Sequence, residues 1–159
     1  MTGFDTCWNL VACIAINGTG TGFTSCKHMS GCLAEDMGQT GIAYCDEMSG
    51  CQSYNNGVNG FNGCLHMAAC EGAANTGEGF HSCEDMGGCF AWNNDGNGFE
   101  DCETMAGCRA HTNDLWGFLD CHWVAASRAA FNVSGGWSGG SLAEGDPSKL
   151  KSWKSRKSK

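Results

Sequence analysis

The residues best placed for chemistry are the cysteines. Thirteen of them fall in two series along the 159-residue sequence, Cys7, Cys26, Cys45, Cys64, Cys83, Cys102 and Cys121, and Cys13, Cys32, Cys51, Cys70, Cys89 and Cys108, each advancing by 19 residues. Three chemistries suit this array. Disulfides would form if the second cysteine of one unit joined the first of the next: Cys13 with Cys26, Cys32 with Cys45, Cys51 with Cys64, Cys70 with Cys83, Cys89 with Cys102, and Cys108 with Cys121. That pairing leaves Cys7 over and accounts for Ser127, which stands where a further cysteine would have no unit to join. Loops this short would each contribute about 2 to 3 kcal/mol by restricting the unfolded chain. Alternatively, the cysteines are buried thiols acting as small hydrophobes. The third chemistry is Cu(I) binding, because Cys-x-x-Met-x-x-Cys sets two thiolates and a thioether at equal intervals. Leu10 and Val124 take the methionine place at the two ends of the array, a replacement that packing tolerates and ligation does not.

Catalytic motifs are weak by comparison. Cys121 beside His122, Cys26 near His28 and Cys64 near His66 suggest a thiol–imidazole nucleophile, but such catalysis needs one unique site with an orienting third group. The segment NNDGNGF at residues 93 to 99 has the look of a calcium loop, yet Thr104 occupies the place of its closing acid. On these grounds the sequence is expected to hold no catalytic residue, no cofactor and no resident metal.

The elements that position the cysteines repeat with them. Gly3, Gly22, Gly41, Gly60, Gly79, Gly98 and Gly117 open seven units without insertion or deletion, each followed by Phe or, once, Ile42. Met29, Met48, Met67, Met86 and Met105 lie midway between the two cysteines of their units. Uninterrupted copies at a fixed period signal a solenoid. Within a unit, Phe-x-x-Cys-x-x-Met-x-Gly-Cys places apolar residues three apart with acids between them, such as Glu84, Asp85 and Glu103, and predicts a short helix with a polar outer side. After the second cysteine a small residue recurs between variable neighbours, Ala15, Ala34, Ser53, Gly72, Ala91 and Ala110, which is the period of a strand. Asn56, Asn75, Asn94 and Asn113 follow, suited either to a surface turn or to an internal ladder.

The Phe-x-x-Cys-x-x-Met core resembles the Phe-x-x-Cys-x-x-Leu element of BspA-type leucine-rich repeats over about seven positions per unit, although the present unit is shorter and lacks the leucine pattern. The resemblance implies a helix–strand solenoid and a role in adhesion or protein recognition. The expected fold is thus a repeat solenoid of seven 19-residue coils, each a short helix plus a short extended strand, disulfide-stapled, with a C-terminal capping helix over residues 119 to 131. Residues 1 to 131 form the expected solenoid domain, and residues 132 to 159 a Gly/Ser-rich linker and basic tail.

Charge and surface complete the reading. Residues 1 to 127 hold fifteen acids against two bases, whereas residues 128 to 159 hold seven bases against two acids. An acidic body argues against nucleic acid as a partner. The longest apolar run, residues 10 to 16, falls short of the roughly 20 residues of a membrane span. No basic region precedes that run, so it does not read as a signal peptide, and the expectation is either a cytosolic protein or one whose leader has been removed. Paired cysteines would place the protein outside the cell, and thiols in the cytoplasm. Tyr54, Phe90, Trp92 and His111 lie at outward strand positions and form the expected binding face for a protein or glycan surface, while the solenoid ends suit contact with further copies of the chain. The expectation is a non-enzymatic structural or interaction protein, with an ice-binding surface on the Asn/Gly/Thr turns or Cu(I) binding as alternatives.

Overall fold

A computed structural model describes residues 2 to 140. The 19-residue unit forms one coil of a parallel β-solenoid. A coil contributes three short strands, as in Phe80–His81, Met86–Gly87 and Phe90–Trp92. Stacked coils make three parallel sheets of eight, seven and seven strands among the described residues. Their register is the sequence period itself: Phe61 pairs Phe80 and Phe80 pairs Phe99, Met67 pairs Met86 and Met86 pairs Met105, Gly72 pairs Ala91 and Ala91 pairs Ala110. We name these the phenylalanine, methionine and alanine sheets.

The expected helices are absent among the described residues, and the backbone shows why. The apolar spacing of three arises because the chain alternates a short strand with a left-handed bend. In one coil the bends fall at Ser82, Asp85 and Gly88, with φ of 50°, 50° and 63°, and again at Asn93, with φ of 55°. Each bend turns the next side chain back toward the axis, so Phe80, Cys83, Met86 and Cys89 all point inward. A helix and this coil share the same spacing of inward residues. Non-glycine residues in the left-handed region cost about 1–2 kcal/mol each. Hydrogen bonds between coils offset that cost, for example Ser82 N–H to Glu100 O at 3.0 Å and Gly88 N–H to Ala106 O at 2.8 Å.

The core is a set of ladders. Phe61, Phe80, Phe99 and Phe118 are buried and stack face to face with centroids 4.7, 4.8 and 4.9 Å apart, and Trp137 closes the row at 4.1 Å from Phe118. Asn56, Asn75, Asn94, Asn113 and Asn132 are buried as well and form an internal ladder. Each donates Nδ2–H to the next Oδ1 at 2.9 to 3.0 Å, and that same oxygen accepts its backbone N–H at 3.0 to 3.1 Å. The asparagines therefore offer no regular outward row for ice. The coil-opening glycine is required by close approach: a Cβ at Gly79 would lie 2.8 Å from both Ala91 Cβ and Gly98 O.

The capping helix is replaced by more of the same coil. Strands at Trp116–Leu119, Val124–Ala125, Arg128–Ala130 and Gly135–Ser138 continue all three sheets. Ser127 Oγ accepts Cys108 N–H at 3.1 Å, a contact that a cysteine sulfur makes elsewhere, as Cys45 does with Cys26 N–H. The basic end of the expected tail, residues 141 to 159, lies outside the described residues.

All thirteen cysteines are free thiols, so none of the pairs Cys13–Cys26, Cys32–Cys45, Cys51–Cys64, Cys70–Cys83, Cys89–Cys102 and Cys108–Cys121 is formed. The two series run along opposite margins of the methionine sheet, and the sulfur each thiol meets is its own equivalent one coil away, Cys64 with Cys83, Cys83 with Cys102 and Cys102 with Cys121. Burial pushes Cys64, Cys83 and Cys102 well above the ordinary thiol range. In the other series Cys51 and Cys89 also rise, as donors to Cys70, and Cys70 is held low by those two S–H groups. Carbonyls two and 22 residues earlier accept the thiol protons, as Glu100 O and Phe80 O do for Cys102 at 3.3 and 3.6 Å.

Candidate active site

Among the described residues, one group of three side chains suited to share a ligand lies on the outer face of the phenylalanine sheet. Most strands of that sheet put an aromatic residue inside, with Ile42 in its place once, and the residue after it forms a row of its own. That row reads Asp5, Thr24, Ala43, Asn62, His81, Glu100, Leu119 and Ser138, with Ala43 buried. A second row, from the residue before each coil-opening glycine, reads Thr21, Thr40, Asn59, Glu78, Asn97 and Trp116. Most copies are neutral there. Glu78, His81 and Glu100 break the pattern, and each offers a side-chain N or O atom within 4.8 Å of the other two.

The local scaffold explains the meeting. His81 and Glu100 are register partners on adjacent strands, so their side chains stand about 4.8 Å apart along the stack. Glu78 precedes them by a tight bend, anchored by its own N–H to Asn59 Oδ1 at 3.0 Å. Glu100 accepts a hydrogen bond from Asn97 Nδ2 at 2.8 Å, and Asn97 Oδ1 accepts Trp116 N–H at 2.8 Å, which fixes that amide's orientation. His81 Nδ1 is buried and has no hydrogen-bond partner among the described residues. All three residues are half-buried.

Electrostatics separates the two acids. Burial raises the Glu78 carboxyl above the usual range, and the neighbouring Glu100 carboxyl raises it further. The protonated form of Glu78 is thus favoured relative to an ordinary carboxyl, and Asn97 orients the Glu100 carboxyl. Two carboxyls and an imidazole at this separation are also a ligand set for a divalent cation. Half-buried Trp116 and Leu119 lie in the following coil and give the cluster an apolar flank.

The residues expected to matter from the sequence lie elsewhere. Tyr54, Trp92 and His111 share one outward row of the alanine sheet, and Phe90 lies in the adjacent row. Tyr54 Oη donates to Glu71 Oε2 at 2.6 Å, and Trp92 Nε1 donates to the other oxygen of the same carboxylate. Phe90 and Trp92 stack with centroids 6.4 Å apart. The thiol–imidazole neighbours in sequence point to opposite sides: Cys26 and Cys64 face the core, while His28 pairs with Glu47 and His66 with Asp46 on the surface. Among the described residues no three cysteine sulfurs converge as a soft-metal set. Glu78, His81 and Glu100 went unnoticed in the sequence because they are separated by a period boundary. The signal that exposes them is three titratable residues at neighbouring places in two columns that are mostly neutral.

No protein-family model matches the sequence, and no curated protein matches it. Solved structures do match the fold. The periplasmic alginate epimerase AlgG superposes with a TM-score of 0.55 at 13% identity, over 90% of this chain and 48% of its own. Pectate lyase Pel9A superposes with a TM-score of 0.56 at 12% identity, over 82% of this chain and 49% of its own. The chain therefore spans about half the length of these structures, and at such identity the likeness is one of fold. They are β-helix proteins and not leucine-rich repeats of the BspA type. The expectation of a non-enzymatic structural protein, with ice binding or Cu(I) binding as alternatives, is corrected by this likeness: the solved structures that share the coil are an alginate epimerase and a pectate lyase. No described helix is long and apolar enough to cross a membrane. What the comparisons establish is a parallel β-solenoid of 19-residue coils, a fold this chain shares with an alginate epimerase and a pectate lyase.

Proposed function

We propose that the protein is a carbohydrate-active enzyme that processes an extended polysaccharide by proton transfer at Glu78, His81 and Glu100. The observation that carries this reading is the convergence of a carboxyl of raised pKa, a second carboxyl and an unpartnered buried imidazole nitrogen on the open face of one sheet. Glu100 or His81 takes the proton from a sugar ring carbon while Glu78, on the same side, gives its proton to the glycosidic oxygen that departs, so a C–H and a C–O bond break and a C=C bond forms. Neighbouring coils supply amides at Asn59 and Asn62 and the ring of Trp116, groups suited to sugar hydroxyls and to the apolar face of a sugar ring. A straight solenoid lays such groups out along an axis, which suits a linear polymer. Buried thiols with raised pKa do not oppose an encounter outside the cytosol, since the thiol form oxidises slowly.

The test is turnover of a panel of acidic and neutral polysaccharides, read as new reducing ends or unsaturated sugar absorbance, by the parent chain and by Glu78→Gln. The variant should lose at least about 100-fold in rate, the contribution typical of a general acid. It should also keep or gain stability at pH 8. A carboxyl whose native pKa is raised lends stability at low pH and withdraws it as pH rises through that pKa, and glutamine holds the neutral form throughout. Chelation distinguishes direct acid–base work from a cation-assisted variant of it. Equal rates for parent and Glu78→Gln, or no turnover across the panel, would sink the assignment.

A further inference from the structure

The alanine sheet presents a second surface, which the acid–base cluster does not use. Along one outward row Glu71, Phe90, Arg109 and Arg128 follow in register. Arg109 and Arg128 are exposed, and as register partners their backbones lie about 4.8 Å apart. Like charges directly opposite on a sheet destabilise it. Among the described residues neither arginine has a carboxylate within ion-pair distance. The acid in their own row, Glu71, is two strands from Arg109 and is held by Tyr54 Oη and Trp92 Nε1. The first 127 residues carry fifteen acids and only two bases, so an uncompensated cation pair is an unusual construction on this chain.

The pair also borders a cleft. A depression of about 280 Å³ is lined by Phe90, Arg109, His111, Arg128 and Ala130. Trp92 stacks on Phe90 at its margin, and His111 meets the edge of Phe131 with centroids 5.0 Å apart. Two planar guanidinium forks match carboxylates in a bidentate manner, and the adjoining rings offer a flat apolar wall. We infer that this cleft is a binding subsite for an acidic polysaccharide, with sugar carboxylates seated on Arg109 and Arg128 and a sugar ring against Phe90. Charge complementarity selects the occupant: two cations serve the one or two carboxylates of a short uronate segment. Duplex DNA, with a charge every 1.7 Å or so, would meet mostly the acidic body. The inference shares with the proposed function only the idea that the ligand is a glycan, and it does not depend on turnover at Glu78.

The experiment is calorimetric titration of the full chain carrying Glu78→Gln, which holds turnover off, with an oligouronate six sugars long and with its fully methyl-esterified form. Arg109→Gln and Arg128→Gln should each weaken oligouronate binding about tenfold, as loss of a charge-assisted hydrogen bond implies, and the double substitution should abolish it. Binding should weaken as salt is raised, and the ester should not bind. Both arginines are exposed and face each other as like charges, so thermal midpoints should not fall. The inference is overturned if the double variant binds as the parent does, if the ester binds equally, if single-stranded DNA binds as tightly, or if the parent does not bind. Uronate binding that needs the arginines, with no turnover by the parent chain, would leave this inference standing and remove the acid–base reading; turnover by the parent with no effect of the arginines on binding would do the reverse.

Discussion

Replacing Asn94 with alanine tests the internal ladder and with it the whole architecture. Asn94 Oδ1 accepts the backbone N–H and the Nδ2–H of Asn75, both at 3.0 Å, while its Nδ2 donates to Gly72 O at 3.1 Å and to Asn113 Oδ1 at 2.9 Å. Some neighbours keep a partner. Asn75 Nδ2 still reaches Ser53 O at 3.3 Å, and Asn113 Oδ1 still accepts Asn94 N–H at 3.1 Å. The Asn75 backbone N–H is left with none. Four bonds at about 1 kcal/mol net each, and about 1 kcal/mol more for the stranded donor, give a loss of about 5 kcal/mol. Domains of ordinary stability hold only about 5–15 kcal/mol, so Asn94→Ala should bring the chain close to unfolding. Equilibrium urea denaturation, followed by tryptophan fluorescence and far-ultraviolet circular dichroism, measures the change. Asn94→Asp refines it: a carboxylate can accept both Asn75 bonds but would face Gly72 O and Asn113 Oδ1 without a proton to give. Burial raises that carboxyl's native pKa, so the variant should be most stable in acid, losing stability as pH rises above about 4. An Asn94→Ala protein within about 1 kcal/mol of the parent would refute the reasoning, because buried amides cannot lose these partners so cheaply.

Gly79→Ala should destabilise by about 2–4 kcal/mol, since its new Cβ would sit 2.8 Å from Ala91 Cβ and from Gly98 O. Gly88→Ala, at φ +63° with nothing within 4 Å, should cost only about 1–2 kcal/mol, and the order of the two in urea melts checks the packing argument. Alkylation of the native protein should stop after the half-buried Cys7 and Cys13, with the remaining thiols reacting only on unfolding; intact mass should be the same with and without reductant. His66 titrates above its ordinary range because Asp46 lies 2.6 Å from Nδ1, and Asp46 titrates below its own for the same reason. The His66 side of the pair is fully stabilising below pH about 6.5 and fades as pH rises through its native pKa; the Asp46 side fades as pH falls below about 4. Proton NMR of the imidazole should show the His66 midpoint falling toward its ordinary value in Asp46→Asn, and an unchanged midpoint would remove the pair.

Much of this molecule is legible in its primary structure, and the reason is translational symmetry. Phe80, Cys83, Met86, Cys89 and Ala91 face the same neighbours as their equivalents one coil away, so packing imposes one residue type per column. The 19-residue period, the inward columns, the strand around Ala91 and the solenoid itself follow directly. Local conformation does not. Inward residues three apart are compatible both with a helix and with strands joined by left-handed bends, and the choice rests on hydrogen bonds between coils, which no single unit contains. Cysteine pairing was hidden for a related reason. A period of 19 with two cysteines per unit permits several connectivities, and only stacking brings Cys64 against Cys83 instead of Cys70 against Cys83.

The surface was the least legible part. An outward residue packs against nothing that must repeat, so a functional side chain there looks like drift from the consensus. Glu78 and His81 are three residues apart across a period boundary, and Glu100 is 19 beyond His81. Arg109 and Arg128 are likewise separated by one period. Periodicity was enough to say that these residues recur at fixed steps. That one such step amounts to a single strand spacing, close enough for an imidazole to meet a carboxyl or for two guanidinium groups to share an anion, was decided only when the coils were stacked.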